Sequence, residues 1–229
     1  PVLYKNRFEG EYTPVKVGDV WGEAWDNAWF HLKGVVPESW KNKKVVANLD
    51  FTGEGLIFDK DVPVQGITSS SVYNKDFKRD IYPLFEQCKG GEEIELWIET
   101  VAVGYLGLNL PFDPKPNDSD RYGEFKSTVN KMQFAIFNEE LWHLWLDIEV
   151  LNGMIKNLPE KSVRRSRIIR NVNKAIEQYI NNSNNITSAR LILKEELSKF
   201  SSASDLSVLA IGHAHIDTAW LWPVIETIR

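Results

Sequence analysis

Three side chains near the end of the sequence have the types and the spacing for metal chemistry: His213, His215 and Asp217. In an extended segment, alternate side chains point to one side, so the three polar groups converge. They follow Leu206–Ile211, a short apolar run with β-branched members that reads as a fully buried strand of a parallel sheet. Sites in α/β barrels and open α/β sheets lie at the carboxyl ends of such strands. Neutral imidazole and carboxylate are both zinc ligands. The same pattern has a plainer reading, in which the histidines end a strand and Asp217 caps a helix over 219–229. Trp220 and Trp222 directly afterwards favour a ligand site, because a flat aromatic wall grips a sugar ring.

The run Gly212-His213-Ala214-His215-Ile216-Asp217-Thr218-Ala219-Trp220-Leu221-Trp222-Pro223 closely resembles the first active-site segment of the retaining α-mannosidases of glycoside hydrolase family 38. The resemblance is to their bacterial, vacuolar and cytosolic branch. It implies that His215 and Asp217 are zinc ligands and that Trp220 binds substrate by stacking on a mannose ring. His213 takes no ligand role from it and instead orients a ligand by a hydrogen bond. In that family the metal grips the 2- and 3-hydroxyls of the mannose being cleaved. The nucleophile and the remaining ligands lie on later barrel strands. The expectation is therefore that no catalytic residue lies in this chain and that the nucleophile falls beyond Arg229. The chain would be the N-terminal part of a larger enzyme, inactive alone, with zinc weakly bound or absent. Two protein ligands fill only half of a tetrahedral zinc site.

Two other readings compete. One is a carbohydrate-binding β-sandwich without catalysis, which an exposed row of Trp or Tyr beside a polar groove would support. The other is an unrelated metal-dependent hydrolase, since His-x-His near a barrel strand also begins amidohydrolases. The Asp217-Thr218-Ala219-Trp220 continuation counts against the second.

Composition narrows the classes. The chain has 229 residues, 43% hydrophobic and 26% charged, ordinary for a globular protein. A net charge of −5 argues against a nucleic-acid partner. The one basic cluster, Lys161, Arg164, Arg165, Arg167 and Arg170, reads as a solvated helix face. No apolar run reaches the roughly 20 residues of a membrane span. Cys88 is the sole cysteine, which excludes an internal disulfide and fits a reducing compartment, taken as the cytoplasm. The expected partner is a mannose-containing oligosaccharide, and a homo-oligomer stays open.

The elements that must carry such a site fall in three parts. The expected fold class is α+β. An N-terminal antiparallel β-sandwich of jelly-roll, galactose-binding-like type covers 1–126. A helical connecting segment covers 127–203, and the first strand of an α/β barrel cut short covers 204–229. Within the first part, strands are expected at 28–35, 44–51, 56–58, 62–64, 79–82 and 93–103, with Tyr12–Val17 as an edge strand. Lys89-Gly90-Gly91 gives a hairpin signal. Residues 105–125, rich in Gly, Pro and Asp, read as a long loop. From Ser127 the apolar period becomes three and four, through Met132, Ala135 and Ile136 and on to Leu158. Trp142 and Trp145 are taken as core. Asn138 begins the helix and Pro159 ends it. Further helices span about 161–181, with Ile168, Ile169, Val172, Ala175, Ile176 and Ile180 inward, and from Thr187 or Ser188 to about 200.

Overall fold

The computed structural model describes residues 2–69, 78–103, 126–183 and 185–199, with 209–212, 218 and 224–225. The first of two compact units is built around residues up to Phe137, and the second begins at Asn138.

The first unit is a sandwich of antiparallel sheets. Its strands are β1 (Val20–Glu23), β2 (Asn27–Val35), β3 (Val45–Asp50), β4 (Glu54–Asp59), β5 (Val62–Thr68), β6 (Ile81–Phe85), β7 (Glu93–Val101), β8 (Lys126–Thr128) and β9 (Lys131–Ile136). One sheet runs β2-β7-β4-β5, the other β6-β3-β9, and β1 pairs with β8. Alternation explains the layers. In β2 and β7, Phe30 and Leu32 pair in register with Ile98 and Leu96, and all four are buried in the core. Val45, Ala47 and Leu49 of β3 enter the same core with Tyr82 and Leu84 of β6 and Met132 and Phe134 of β9. Pro63 and Pro83 sit on β5 and β6, both at sheet edges, where the missing N–H is tolerated. Lys60 and Asp61 both have positive φ and make the two-residue turn from β4 to β5.

Three expectations are corrected here. Met132, Ala135 and Ile136 belong to β9, so 127–137 completes the sandwich instead of opening the helical segment. Spacings of three and four arise by chance in a six-residue strand, and pairing with β3 overrides them. The Gly90-Gly91 turn is not a hairpin: it carries the chain from β6 in one sheet to β7 in the other. The residues 12–17 have no regular structure, while Tyr4–Glu9 forms a 3-10 helix. Of Leu206–Ile211, read as a buried strand of the complete barrel, only 209–211 are among the described residues, with Leu209 and Ile211 84% and 78% exposed; the rest of that reading lies outside the described residues.

The second unit packs α1 (Glu139–Asn157), α2 (Val163–Asn181) and α3 (Ile186–Leu197). Asn138 and Ser162 cap α1 and α2 by accepting from Leu141 and Arg165 N–H groups. Asn185, not Thr187 or Ser188, precedes α3. Leu144, Leu151, Ile168, Val172, Ala175, Ala189 and Leu193 form its core. Ile176 and Ile180 lie outside it, exposed. Two of the basic residues read as solvated are engaged: Arg167 Nε donates to buried Glu196 at 2.6 Å and Arg165 Nε to the Ile155 carbonyl at 3.1 Å. No helix among the described residues is long and apolar enough to cross a membrane.

A buried carboxylate joins the sheets. Asp50, 2% exposed, ends β3. It accepts from Ser69 Oγ at 2.7 Å, Lys78 Nζ at 2.9 Å, Thr52 N at 3.1 Å and Asn130 Nδ2 at 3.3 Å. Burial alone would raise its pKa, but the bonds from Lys78, Ser69 and Thr52 outweigh it and hold the carboxyl below the usual range. A depressed folded pKa stabilises fully above the unfolded value, near 3.9, and the contribution fades as pH falls through the folded one. Asp50→Ala should therefore cost about 2–4 kcal/mol at neutral pH by urea unfolding. Asp50→Asn should flatten the loss of stability between about pH 5 and pH 3 relative to the parent. An Asn variant as acid-sensitive as the parent would remove Asp50 from that account.

Candidate functional site

His213, His215, Asp217 and Trp220 lie outside the described residues, so the structure neither brings the four together nor separates them. Of their immediate neighbours, Gly212 has nothing within 4 Å of where a Cβ would stand, and Thr218 is exposed. Among the described residues no group of three or more His, Cys, Asp or Glu is placed to hold a metal.

A cleft of about 1260 Å³ opens in the sandwich unit. It opens where β2 and β9, the edge strands of the two sheets, face the same side, and the segment 10–15 lines its rim. Trp21, Trp29, Tyr12, Arg7 and Glu99 give it aromatic and charged walls. Three of these side chains bond the chain's own backbone. Trp21 Nε1 donates to the Phe51 carbonyl at 2.7 Å, Trp29 Nε1 to the Val2 carbonyl at 2.8 Å, and Tyr12 Oη to the Arg7 carbonyl at 2.6 Å.

Arg7 holds the N-terminal segment onto the outer face of the larger sheet. Pleating turns Trp29 and His31 of β2 and Trp97 of β7 to that face, opposite the core residues between them. The 3-10 helix then lays Tyr4 against Phe58 at 4.3 Å and Phe8 edge-on to Trp97 at 5.1 Å. The Arg7 guanidinium lies 3.7, 4.0 and 4.9 Å from the rings of Tyr4, Phe8 and Trp97. It also donates to the Tyr4 carbonyl and to Asp61, each at 2.9 Å. Its Nε is buried and makes no hydrogen bond among the described residues, with the aromatic rings close around the guanidinium. His31 stacks on Trp97 at 3.7 Å and bonds Glu95 at 2.8 Å, and this bond holds the Glu95 carboxyl below its usual range. Burial and the bond to Asp61 push the Tyr4 hydroxyl up to about 12, against the lowering effect of Arg7. Sequence reading missed this cluster. The spacing of Tyr4, Arg7 and Phe8, three and then one, was the available signal, since one turn of helix brings all three together.

Nothing in this arrangement pairs two carboxyls for acid–base chemistry. It is an aromatic and cationic clamp that closes the outer sheet face.

A family model described as alpha-mannosidase, jelly roll domain, matches residues 1–129. The chain belongs to this α-mannosidase jelly roll family. Its match with the sandwich unit includes β1 to β8. The chain is 32% identical over 228 residues to alpha-mannosidase G of Dictyostelium discoideum, covering 99% of this chain and 20% of that protein. It is 28% identical to alpha-mannosidase 2C1 of Mus musculus, over 99% of this chain and 21% of that protein. With the alpha-mannosidase of Saccharomyces cerevisiae it shares 24% over 96% of its length and 21% of the yeast protein. The chain thus spans about a fifth of the length of these curated relatives.

The clamp yields a test. Arg7→Ala should lower the urea stability of the jelly roll by about 2 kcal/mol, from lost ring contacts and an ion pair whose Asp61 end is exposed. Arg7→Lys should recover less than half of that, because an ammonium cannot reproduce the flat, two-armed guanidinium. A lysine variant equal to the parent would show that charge alone matters there.

Proposed function

We propose that this chain is the N-terminal portion of a retaining, zinc-dependent exo-α-mannosidase of glycoside hydrolase family 38, acting on terminal α-mannosides of oligosaccharides. One observation carries the reading. Similarity to proteins named α-mannosidases runs through 99% of the chain, past the jelly roll and the helices and into the His-x-His-x-Asp segment. A carbohydrate-binding sandwich alone would match only over 1–129.

The donor set suits zinc: His215 offers an imidazole nitrogen and Asp217 a carboxylate, half of a tetrahedral set. A zinc ion held there would polarise and orient the vicinal hydroxyls of the terminal mannose. His213 would fix the imidazole orientation through a hydrogen bond. Trp220 would pack on the apolar face of the ring and exclude water from it. A carboxylate engaged by a metal is a poor nucleophile, so Asp217 leaves the displacement to a carboxylate elsewhere in the polypeptide. Retention needs two carboxyl groups about 5–5.5 Å apart. The 229-residue chain alone is then inactive. The single, buried, unpaired Cys88 is in keeping with a cytoplasmic setting.

The polypeptide expressed through its natural stop codon should hydrolyse α-mannosides, lose that activity on chelation and regain it with zinc. His215→Ala should abolish zinc content and activity together while the jelly roll keeps its circular dichroism. Trp220→Ala should raise KM by about tenfold or more with zinc retained, the worth of one lost stacking face of about 1.5 kcal/mol. A His215→Ala protein with full zinc and full activity would take His215 out of the site.

A further inference from the structure

One edge of the jelly roll is left open. β2, β5, β6 and β9 are the outer strands of the two larger sheets. β5 and β6 each carry a proline, Pro63 and Pro83, and each shifts register against its neighbour. Proline and irregular pairing stop an edge from recruiting another strand. β2 has neither. Its nine residues pair with β7 in one unbroken register. Residues 27–33 line the cleft without interruption, so the strand is open along most of its length.

The direction of its backbone groups follows from the ends of that register. The Asp26 carbonyl accepts from Ala102 N–H, and Val36 N–H donates to the Glu92 carbonyl, each at 2.8 Å. Bonded and non-bonded pairs alternate along an antiparallel ladder. Ala28, Phe30, Leu32 and Gly34 therefore bond β7, while Asn27, Trp29, His31, Lys33 and Val35 turn N–H and C=O away from it. Among the described residues no hydrogen bond from elsewhere in the chain meets those outward groups.

A row of alternating N–H and C=O groups is matched by another extended backbone. We infer that the β2 edge pairs antiparallel with the β2 edge of a second copy, about a two-fold axis at His31. The register selects that occupant. Around His31, Asn27 meets Val35 and Trp29 meets Lys33 of the other copy, so outward groups face outward groups along the whole strand. Lys33, the one formally charged residue of β2, meets a tryptophan and never its own like. His31 meets His31, each imidazole already stacked on its own Trp97 at 3.7 Å and bonded to its own Glu95 at 2.8 Å. The two four-stranded sheets join into one, and a single self-complementary contact closes both open edges.

The test uses the polypeptide expressed through its natural stop codon. In sedimentation equilibrium it should self-associate. Lys33→Pro removes one outward N–H from each copy and leaves the bonds of Leu32 and Gly34 to β7 in place, so the circular dichroism should hold. The dissociation constant should rise by about tenfold or more, for two lost interface hydrogen bonds. His31→Cys places two thiols across the axis, where a bonded antiparallel pair brings Cα atoms within disulfide reach. Mild oxidation should give a disulfide from residue 31 to residue 31, mapped by mass spectrometry. Val64→Cys on the β5 edge should give no such self-linked pair. A monomer at every concentration overturns the proposal, and so does a complex that Lys33→Pro leaves as tight as the parent. A self-associated His31→Cys protein without the 31–31 disulfide overturns it too. None of these readouts depends on hydrolysis of α-mannosides, so the enzyme reading stands or falls separately.

Discussion

The jelly roll depends on one buried charge. A hydrophobic core is not directional, and the apolar faces of two sheets can slide across one another at small cost. The Asp50 carboxylate cannot. It gathers the β3–β4 turn through Thr52, the end of β5 through Ser69, the approach to β6 through Lys78 and the β8–β9 turn through Asn130. Those four segments belong to both large sheets and to the small one. Neighbouring bonds extend the network: Thr52 Oγ1 meets Thr128, and Asn130 Nδ2 donates to Thr52 at 2.8 Å. Thr52 and Gly53 adopt positive φ to make this turn, and a Cβ at Gly53 would stand 2.3 Å from the Val101 carbonyl. Sheet register, turn geometry and the buried ion pair therefore constrain one another. Removal of one donor leaves a charge in a place with little water to replace it.

How much of this the sequence discloses follows from range. β2, β3 and β7 were legible because their alternation is local and strong: Phe30 and Leu32, Val45 and Ala47, Ile94 and Leu96 all face inward. α1 and its cap were legible from Asn138 and Pro159. β9 was not, because six residues fit a period of two or of 3.6 nearly equally and only pairing with β3 decides. The Gly90-Gly91 turn was legible as a turn but not as a crossover, since its partners are distant in sequence. The sequence does not single out Asp50 within its strand. Its role comes from Ser69, Lys78 and Asn130, 19, 28 and 80 residues away. For the candidate site the balance is reversed. His215, Asp217 and Trp220 are readable as types at a spacing, while their geometry falls outside the described residues.

The aromatic content of the sandwich bears on what it does. A glycan-binding face offers flat rings with free rims and unengaged donors beside them. Here Trp97 is covered by His31, Phe8 and Tyr12, and is 6% exposed. The indole N–H groups of Trp21 and Trp29 already serve backbone carbonyls. The exposed tryptophans are elsewhere, on α1, and they adjoin aliphatic side chains and a glycine rather than a polar groove. Stacking on sugar calls for hydroxyl-bonding groups at the ring's edge, whereas packing against protein does not. The aromatic residues of the sandwich are accordingly suited to holding its own parts in place. Under the proposed function, the sugar contacts would then fall to the segment around Trp220.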